Sequence, residues 1–260
     1  MCEAINCPLC GTSNSKLFHA TRKRQWRDCE NCMLVFTDPK YYPTEEEERK
    51  RYALHENDLE DAGYRNFLMK LVDSICEKLP ASSDNLTGLD FGSGPVAALP
   101  KLMQTRGYKM TVYDPFFALQ DDSLSKTYDF ITCCEVAEHF HAPAKDFRLL
   151  DSLLRSGSWL AVMTSLLEPE IQFSTWHYPR DITHVVFYRR QTMQWIAQLY
   201  GWTVEFPKPN ITIFQKLDKE ISTNTHVNKQ SSSDKRRRDE DDDRQAKIVH
   251  SVDKEDTDVS

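Results

Sequence analysis

The chain has 260 residues, 40% of them hydrophobic, and a formal net charge of −7 at pH 7. This length holds one sizeable core with a small satellite, and the negative charge disfavours a surface that is basic throughout, as nucleic-acid binders have. Neither a signal peptide nor an apolar run long enough for a bilayer is visible, so we expect a cytoplasmic protein with no membrane partner. In that reducing compartment the eight cysteines would be thiols or metal ligands.

Residues 1–40 carry two matched cysteine pairs of the form CxxC, Cys7 with Cys10 and Cys29 with Cys32. A two-residue spacing lets both thiolates of a pair point at one metal, and four thiolates close a tetrahedral shell that leaves no position open for catalysis. The sequence therefore predicts a structural zinc ribbon, with ordinary buried cysteines or a redox pair as the alternative.

The same segment also surrounds one aromatic residue with basic ones: Arg22, Lys23, Arg24, Trp26 and Arg27. Basic and aromatic side chains together contact phosphates and stack on bases, which would make RNA a partner. A solvated loop face is the commoner explanation of such a cluster.

Residues 41–84 are expected to form a helical connector or lid before the main domain. A helix is predicted from Thr44 to Leu54, where four early glutamates suit the positive end of a helix dipole. A second helix is predicted from Tyr64 to Leu79, where apolar residues recur at helical spacing.

The next segment, from Gly88 to Pro95, indicates an apolar strand that runs into a glycine turn. A helix-like segment follows from Val96 to Arg106, and then a strand from Lys109 to Tyr113. Glycines in the turn let a ligand approach the backbone, and we expect backbone N–H groups there to meet an anionic ligand group. Asp114 ends the second strand, where a carboxylate meets ribose hydroxyls in nucleoside-binding folds, so the pattern indicates a nucleoside cofactor.

Strands and helices alternate after this point, as in a doubly wound, mostly parallel α/β sheet of Rossmann-like type. The turn, and two later segments at 128–139 and 149–162, resemble the class I S-adenosylmethionine-dependent methyltransferases, whose common motif is D-x-G-x-G. The resemblance spans residues 85–215 and implies S-adenosylmethionine as cofactor. Carried over to this sequence, it implies five cofactor-binding residues: Asp90, Gly92, Gly94, Asp114 and Glu135.

One departure from this family lies between Asp114 and Tyr128, where only a short stretch of chain remains. The third strand and its helix are therefore expected to be short or missing.

Candidate acid–base groups follow two strands of the predicted sheet. Glu135, Glu138 and His139 come after the fourth strand, with helix capping as the structural alternative for the glutamates. His184 follows the fifth strand in a loop that also holds His177, and Asp181 is close enough in sequence to orient it. We expect His184 to act as a base with Asp181 as its partner and His139 in reserve, unless this loop is only a packing corner.

No Asn/Asp-Pro-Pro-Tyr motif or Pro-Cys pair is present, which favours oxygen or carbon acceptors over exocyclic amines. The expected function is thus methyl transfer to a small molecule or saccharide-type acceptor. An RNA methyltransferase that uses the basic ribbon, and a catalytically silent binding module, are the alternatives. The sequence leaves the oligomeric state open.

Residues 216–260 form a polar, charged tail that lacks the apolar surface needed to offset the entropy of ordering, so we expect disorder. Lys235 to Arg238 is a basic run and a candidate nuclear-localisation patch. A solvated tail of mixed charge is the commoner explanation.

Overall fold

The computed structural model describes residues 5–54, 58–80, 85–119 and 121–218. The chain divides into two compact units, Met1–Leu217 and Asp218–Ser260. The second unit holds most of the predicted charged tail, and apart from Asp218 it lies outside the described residues.

Ten strands and five α-helices make up the described part of the chain. The strands are β1 Ser15–Ala20, β2 Gln25–Cys29, β3 Val35–Thr37, β4 Thr87–Phe91, β5 Lys109–Tyr113, β6 Tyr128–Cys134, β7 Leu154–Met163, β8 Val186–Phe187, β9 Trp202–Lys208 and β10 Ile211–Lys216. The helices are α1 Glu45–Tyr52, α2 Ala62–Cys76, α3 Ala98–Thr105, α4 Pro143–Leu153 and α5 Arg190–Tyr200. Within the described residues, no helix is both long and apolar enough to cross a bilayer.

The main sheet has six strands in the order β5-β4-β6-β7-β10-β9. Strands β5, β4, β6 and β7 run parallel to one another, whereas β10 is antiparallel to both of its neighbours. Helices cover both faces, because Leu71 of α2 and Met103 of α3 pack in one core cluster and Phe147 of α4 and Ile196 of α5 in the other. The expected mixed α/β architecture is therefore confirmed.

Strand β5 forms an edge of this sheet. Within the described residues, the connection from β5 to β6 contains a short 3-10 helix, Asp121–Ser125, in place of a third parallel strand and its helix. The outcome matches the short connection in the sequence, since a strand with its crossover helix needs a dozen residues or more.

Both connector helices begin close to where the sequence places them. Thr44 caps α1 through a reciprocal capping box with Glu47, and Asp61 caps α2 by accepting from two backbone N–H groups. Helix α1 ends at Tyr52 and α2 at Cys76, slightly before the predicted ends.

The N-terminal segment forms a second sheet with the order β1-β2-β3-β8. Its last strand comes from the loop after β7, and Val35 and Phe36 of β3 pair with Phe187 and Val186 of β8. Cys29 and other buried residues of the ribbon belong to the same hydrophobic cluster as the main sheet. The ribbon and the main sheet therefore share one core.

Candidate active site

A cleft of about 1330 Å³ lies beyond the carboxyl ends of β4, β5 and β6. Small-ligand pockets commonly measure roughly 300–1,000 Å³, so this cleft has room for two ligands side by side. Helices α1 and α2 and the loop 177–184 complete its walls. Its lining includes Asp90, Gly92, Asp114, Glu135, Glu138 and His184.

The glycine turn after β4 is held by β5. The N–H groups of Gly92 and Ser93 both donate to the carbonyl of Tyr113, at 2.8 and 3.1 Å. The N–H of Gly94 donates to Asp114 Oδ2 at 2.8 Å. Neighbouring groups of β5 and the turn after it thus already occupy these three donors. The expected contact between an anionic ligand group and N–H groups at the helix N-terminus stays a prediction.

Gly92 is nevertheless required where it stands. Its φ of +81° lies in the left-handed region that favours glycine, and a Cβ atom built there would lie 2.4 Å from Val136. Helix α3 starts later than predicted, at Ala98, because Ala97 also adopts a left-handed conformation with φ of 47°.

Asp114 lines the cleft and organises two turns at once. Its Oδ2 accepts from Gly94, and its Oδ1 accepts from the N–H groups of Phe116 and Phe117 at 2.8 and 3.1 Å. A carboxylate has about four lone-pair sites, so one remains on Oδ2. The ribose contact predicted for Asp114 stays a prediction.

Asp90 lies at the end of β4 and is buried. It accepts a hydrogen bond from Thr132 Oγ1 at 2.7 Å. Burial raises the pKa of Asp90 to about 7, so the carboxyl is partly protonated at neutral pH. Its place on the cleft wall fits a group that orients the turn or meets the cofactor's cationic part.

Two glutamates after β6 share a buried pocket with a tyrosine. The hydroxyl of Tyr178 donates to Glu138 Oε1 at 2.6 Å, and Thr164 Oγ1 lies 3.1 Å from the same hydroxyl. Glu135 adopts a left-handed φ of 53°. Burial, with the charge of Glu138 beside it, raises the pKa of Glu135 to about 9.

His139 and His184 meet edge to face, with ring centroids 4.8 Å apart. Nδ1 of His184 lies 2.9 Å from the carbonyl oxygen of Tyr178, and Nδ1 of His139 lies 3.0 Å from that of Thr183. Because a carbonyl oxygen only accepts, each Nδ1 carries the hydrogen, and in the neutral ring Nε2 keeps a free lone pair. Burial lowers the pKa of His184 to about 4, so this ring is neutral at pH 7.

Asp181 does not orient His184 in the way the sequence suggested, since the carbonyl of Tyr178 holds the Nδ1 of that ring. The Asp181 carboxylate accepts instead from Thr183 Oγ1 at 2.7 Å and from Arg51 Nε of α1 at 2.8 Å. Burial alone would raise the pKa of Asp181, but a hydrogen bond from the Thr183 N–H, together with these two, lowers it to about 2. Asp181 thus fixes the loop and ties it to the connector helix.

The basic ribbon residues do not act as one exposed patch. Arg24 is only 8% exposed, and its Nη1 and Nη2 donate to the backbone carbonyls of Asp181 and His184 at 3.1 and 2.7 Å. Arg27 donates to a carbonyl of β1 at 3.5 Å. Arg24, one of the residues that suggested RNA contact, therefore binds the loop that carries His184.

The four ribbon cysteines converge. Their Sγ atoms all lie within 4.8 Å of one another, in the set Cys7, Cys10, Cys29 and Cys32. Sγ atoms are 3.5 Å apart in the pair Cys7–Cys32 and 3.4 Å apart in Cys10–Cys29. Tetrahedral zinc with bonds of ~2.3 Å holds its sulfurs about 3.8 Å apart, so this donor set fits the ion closely.

Residues 61–205 match the model of a methyltransferase domain family. The chain belongs to this family. The match covers more than half of the chain and confirms the expectation of a methyltransferase enzyme. A comparison with curated protein sequences found no match.

Several solved methyltransferase structures resemble this methyltransferase at low identity. An O-methyltransferase family protein from Burkholderia thailandensis is 11% identical, with 66% of this chain and 63% of that chain covered and a TM-score of 0.46. The 1,6-didemethyltoxoflavin-N1-methyltransferase of the same organism is also 11% identical, with 78% and 100% covered and a TM-score of 0.47. The chain thus spans slightly under two thirds of the first of these proteins, and TM-scores below 0.5 give no indication of the acceptor.

The cleft of this methyltransferase fits S-adenosylmethionine by its chemistry. The cofactor combines a cationic sulfonium and amino group with an adenine ring. Acidic groups at Asp90 and Asp114 and aromatic surfaces at Phe116 and Phe117 line the same cleft. These residues would hold the cofactor.

Sequence reasoning missed two contributors to this site. Tyr178 was recognised only as one aromatic of the loop after the fifth strand and was given no role, because a tyrosine in an aromatic-rich loop is most often packing. Arg24 was grouped with exposed bases, and its inward direction depends on a loop more than 150 positions later in the chain.

Proposed function

We propose that this methyltransferase transfers a methyl group from S-adenosylmethionine to an oxygen or carbon atom of a small, hydroxylated acceptor, such as a saccharide. The proposal rests mainly on two imidazoles in the cleft, His139 and His184, whose Nδ1 atoms are held by backbone carbonyls. This leaves two Nε2 atoms able to accept a hydrogen bond from an acceptor hydroxyl. We infer that the acceptor binds beside them.

The bound cofactor would supply an electrophilic methyl group with a good leaving group. The protein's task is then to align the acceptor with the methyl carbon and to exclude water. Helix α1 supports that task by contacting two segments of the cleft wall. Arg51 binds Asp181 in the loop 177–184, and Glu48 Oε1 lies 3.1 Å from His141 Nε2. A neutral His184 accepts the hydroxyl hydrogen bond without first losing a proton.

We also propose that the ribbon binds one structural zinc through Cys7, Cys10, Cys29 and Cys32. The short sulfur–sulfur distances support this, as does the partial or full burial of all four thiols. Four thiolates leave no open position, so this ion would stabilise the ribbon and would not take part in methyl transfer.

The inward direction of Arg24 makes RNA less favourable than a small molecule, although Arg22 and Lys23 remain in the ribbon loop. The alternative of a silent binding module predicts a cleft that binds no cofactor.

The function is tested by incubating purified full-length protein with S-adenosylmethionine carrying an isotopically labelled methyl group. Panels of hydroxylated small molecules, saccharides and total RNA are offered, and labelled products are identified by mass spectrometry. Label in a small molecule that is lost in His184→Ala, with cofactor binding by calorimetry retained, is the expected result. Label in RNA alone would overturn the acceptor class, and absence of cofactor binding would favour the silent module.

A further inference from the structure

Three side chains that line the cleft form a potential metal centre separate from the cysteines. Glu138, His139 and His184 each offer one ligand atom, and these atoms lie within 4.8 Å of one another. We propose that they bind a divalent metal ion that holds and activates the acceptor hydroxyl. The ion site stands on these residues alone, while its role in activating the acceptor rests on the proposed function. With the ion bound, both Nε2 atoms hold the ion, and the acceptor hydroxyl binds the ion instead of hydrogen-bonding to the imidazoles.

The tautomer and ring orientation of both histidines suit them to bind a metal ion. Each Nδ1 donates its hydrogen to a backbone carbonyl, at 3.0 Å for His139 and at 2.9 Å for His184. This fixes the tautomer, so that Nε2 offers a lone pair in each neutral ring. A carbonyl bonded to the far nitrogen is the usual outer partner of a metal-bound histidine, because it sets both the ring orientation and the tautomer.

Glu138 supplies the independent observation. Its side chain is fully buried, and Oε1 accepts the hydroxyl hydrogen of Tyr178. Within the part of the chain that the structure describes, Oε2 has no hydrogen-bond partner. A buried carboxylate oxygen without a partner is costly, and a cation at this point would satisfy it.

The two chain segments that carry the ligands are fastened together. The N–H of Val185 donates to the carbonyl of Glu138 at 2.9 Å, and Tyr188 donates its hydroxyl hydrogen to the carbonyl of Ala137 at 3.0 Å. Arg24 of the ribbon holds the carbonyl of His184 from the other side. The ligand set is therefore preorganised by backbone contacts that do not depend on an ion.

Two imidazole nitrogens and one carboxylate oxygen suit first-row transition metals such as Mn²⁺, Fe²⁺, Co²⁺ or Zn²⁺ better than Ca²⁺. Such ions bind each ligand atom at ~2.1 Å and hold the ligand atoms roughly 3–4 Å from one another. The three ligand atoms here lie up to 4.8 Å apart, so small side-chain rotations would bring them to the ion. Three protein ligands leave positions open, as in catalytic sites and unlike the four-thiolate shell.

The coordination positions that the protein leaves open would let the ion bind the acceptor hydroxyl. A hydroxyl bound there becomes more acidic and releases its proton to water. The oxygen electron pair then forms a bond to the methyl carbon, and the carbon–sulfur bond breaks with its electron pair remaining on sulfur. The products are the methyl ether and S-adenosylhomocysteine, and no oxidant or reductant is consumed.

Full-length protein with one zinc per chain in the ribbon is titrated with Mn²⁺, and free Mn²⁺ is followed by electron paramagnetic resonance. Mn²⁺ is the probe because it competes poorly for thiolates. The parent should bind one further ion per chain, with Kd raised at least tenfold in Glu138→Gln and in His184→Ala. His19→Ala, on β1 and outside the cleft, is the matched control and should bind like the parent.

Thermal melts accompany each titration, and His139→Ala replaces any variant that does not fold. Saturable binding that is lost in these variants but kept in the control supports the site. No saturable Mn²⁺ binding, or equal binding in all variants, overturns it. Methyl transfer that persists in excess chelator would remove the ion's role while leaving the proposed function intact. Mn²⁺ binding without methyl transfer to any acceptor would leave the site and overturn the function.

Discussion

Arg24 links the N-terminal ribbon to the loop 177–184, and its replacement tests whether the ribbon supports the site. In Arg24→Met a side chain of similar length stays in place, but both hydrogen bonds to the carbonyls of Asp181 and His184 are lost. Hydrogen bonds from charged groups contribute about 1.5–3 kcal/mol each. Burial lowers the pKa of Arg24 to about 10, which shows that enclosing the charge is costly and offsets part of this sum. We expect a net loss of about 2 kcal/mol in the free energy of unfolding.

The loss should be concentrated in the loop. Amide hydrogen exchange is expected to rise in residues 178–185, whereas cofactor affinity should change little because Arg24 contacts no part of the glycine turn. Urea unfolding, exchange mass spectrometry and calorimetry measure the three quantities. Arg27→Met is the matched control, since its hydrogen bond to the carbonyl of Ser15 is long, at 3.5 Å. Unchanged exchange and stability in Arg24→Met would refute the link between ribbon and loop.

Three further outcomes are expected. Cys29→Ser should abolish the proposed zinc binding and lower the melting temperature of the whole unit by about 5–10 °C, because Cys29 belongs to the shared core; metal analysis with calorimetry checks this. Gly92→Ala should cost about 3 kcal/mol against about 1 kcal/mol for Gly157→Ala in urea unfolding, since both glycines have a left-handed φ but only Gly92 would clash, with Val136. Burial raises the folded-state pKa of Asp90 to about 7 from 3.8, so the unfolded chain loses this proton first as pH rises. The parent's free energy of unfolding should therefore fall relative to that of Asp90→Asn by ~1.4 kcal/mol per unit between about pH 4 and 7, and equal slopes would contradict it.

Local patterns in the sequence determined much of this protein. The bounds of β5, the start of α1 next to Thr44 and the short connection between β5 and β6 all followed from spacing and local sequence signals. These features depend on residues only a few positions apart, whose preferences act before any distant contact forms. The same holds for the two CxxC pairs and for the glycine turn, and the turn also carried part of the family resemblance.

Only the tertiary structure decided how side chains from distant segments meet. The Asp114 carboxylate accepts hydrogen bonds from three backbone N–H groups, those of Gly94, Phe116 and Phe117. No rule of sequence spacing predicts these contacts. Glu138 and His184 converge because β8 pairs with the ribbon and the Val185 N–H binds the turn after β6. Such contacts depend on how separate segments pack in one core, and the direction in which a polar side chain points is settled by whichever donor or acceptor that packing brings within reach.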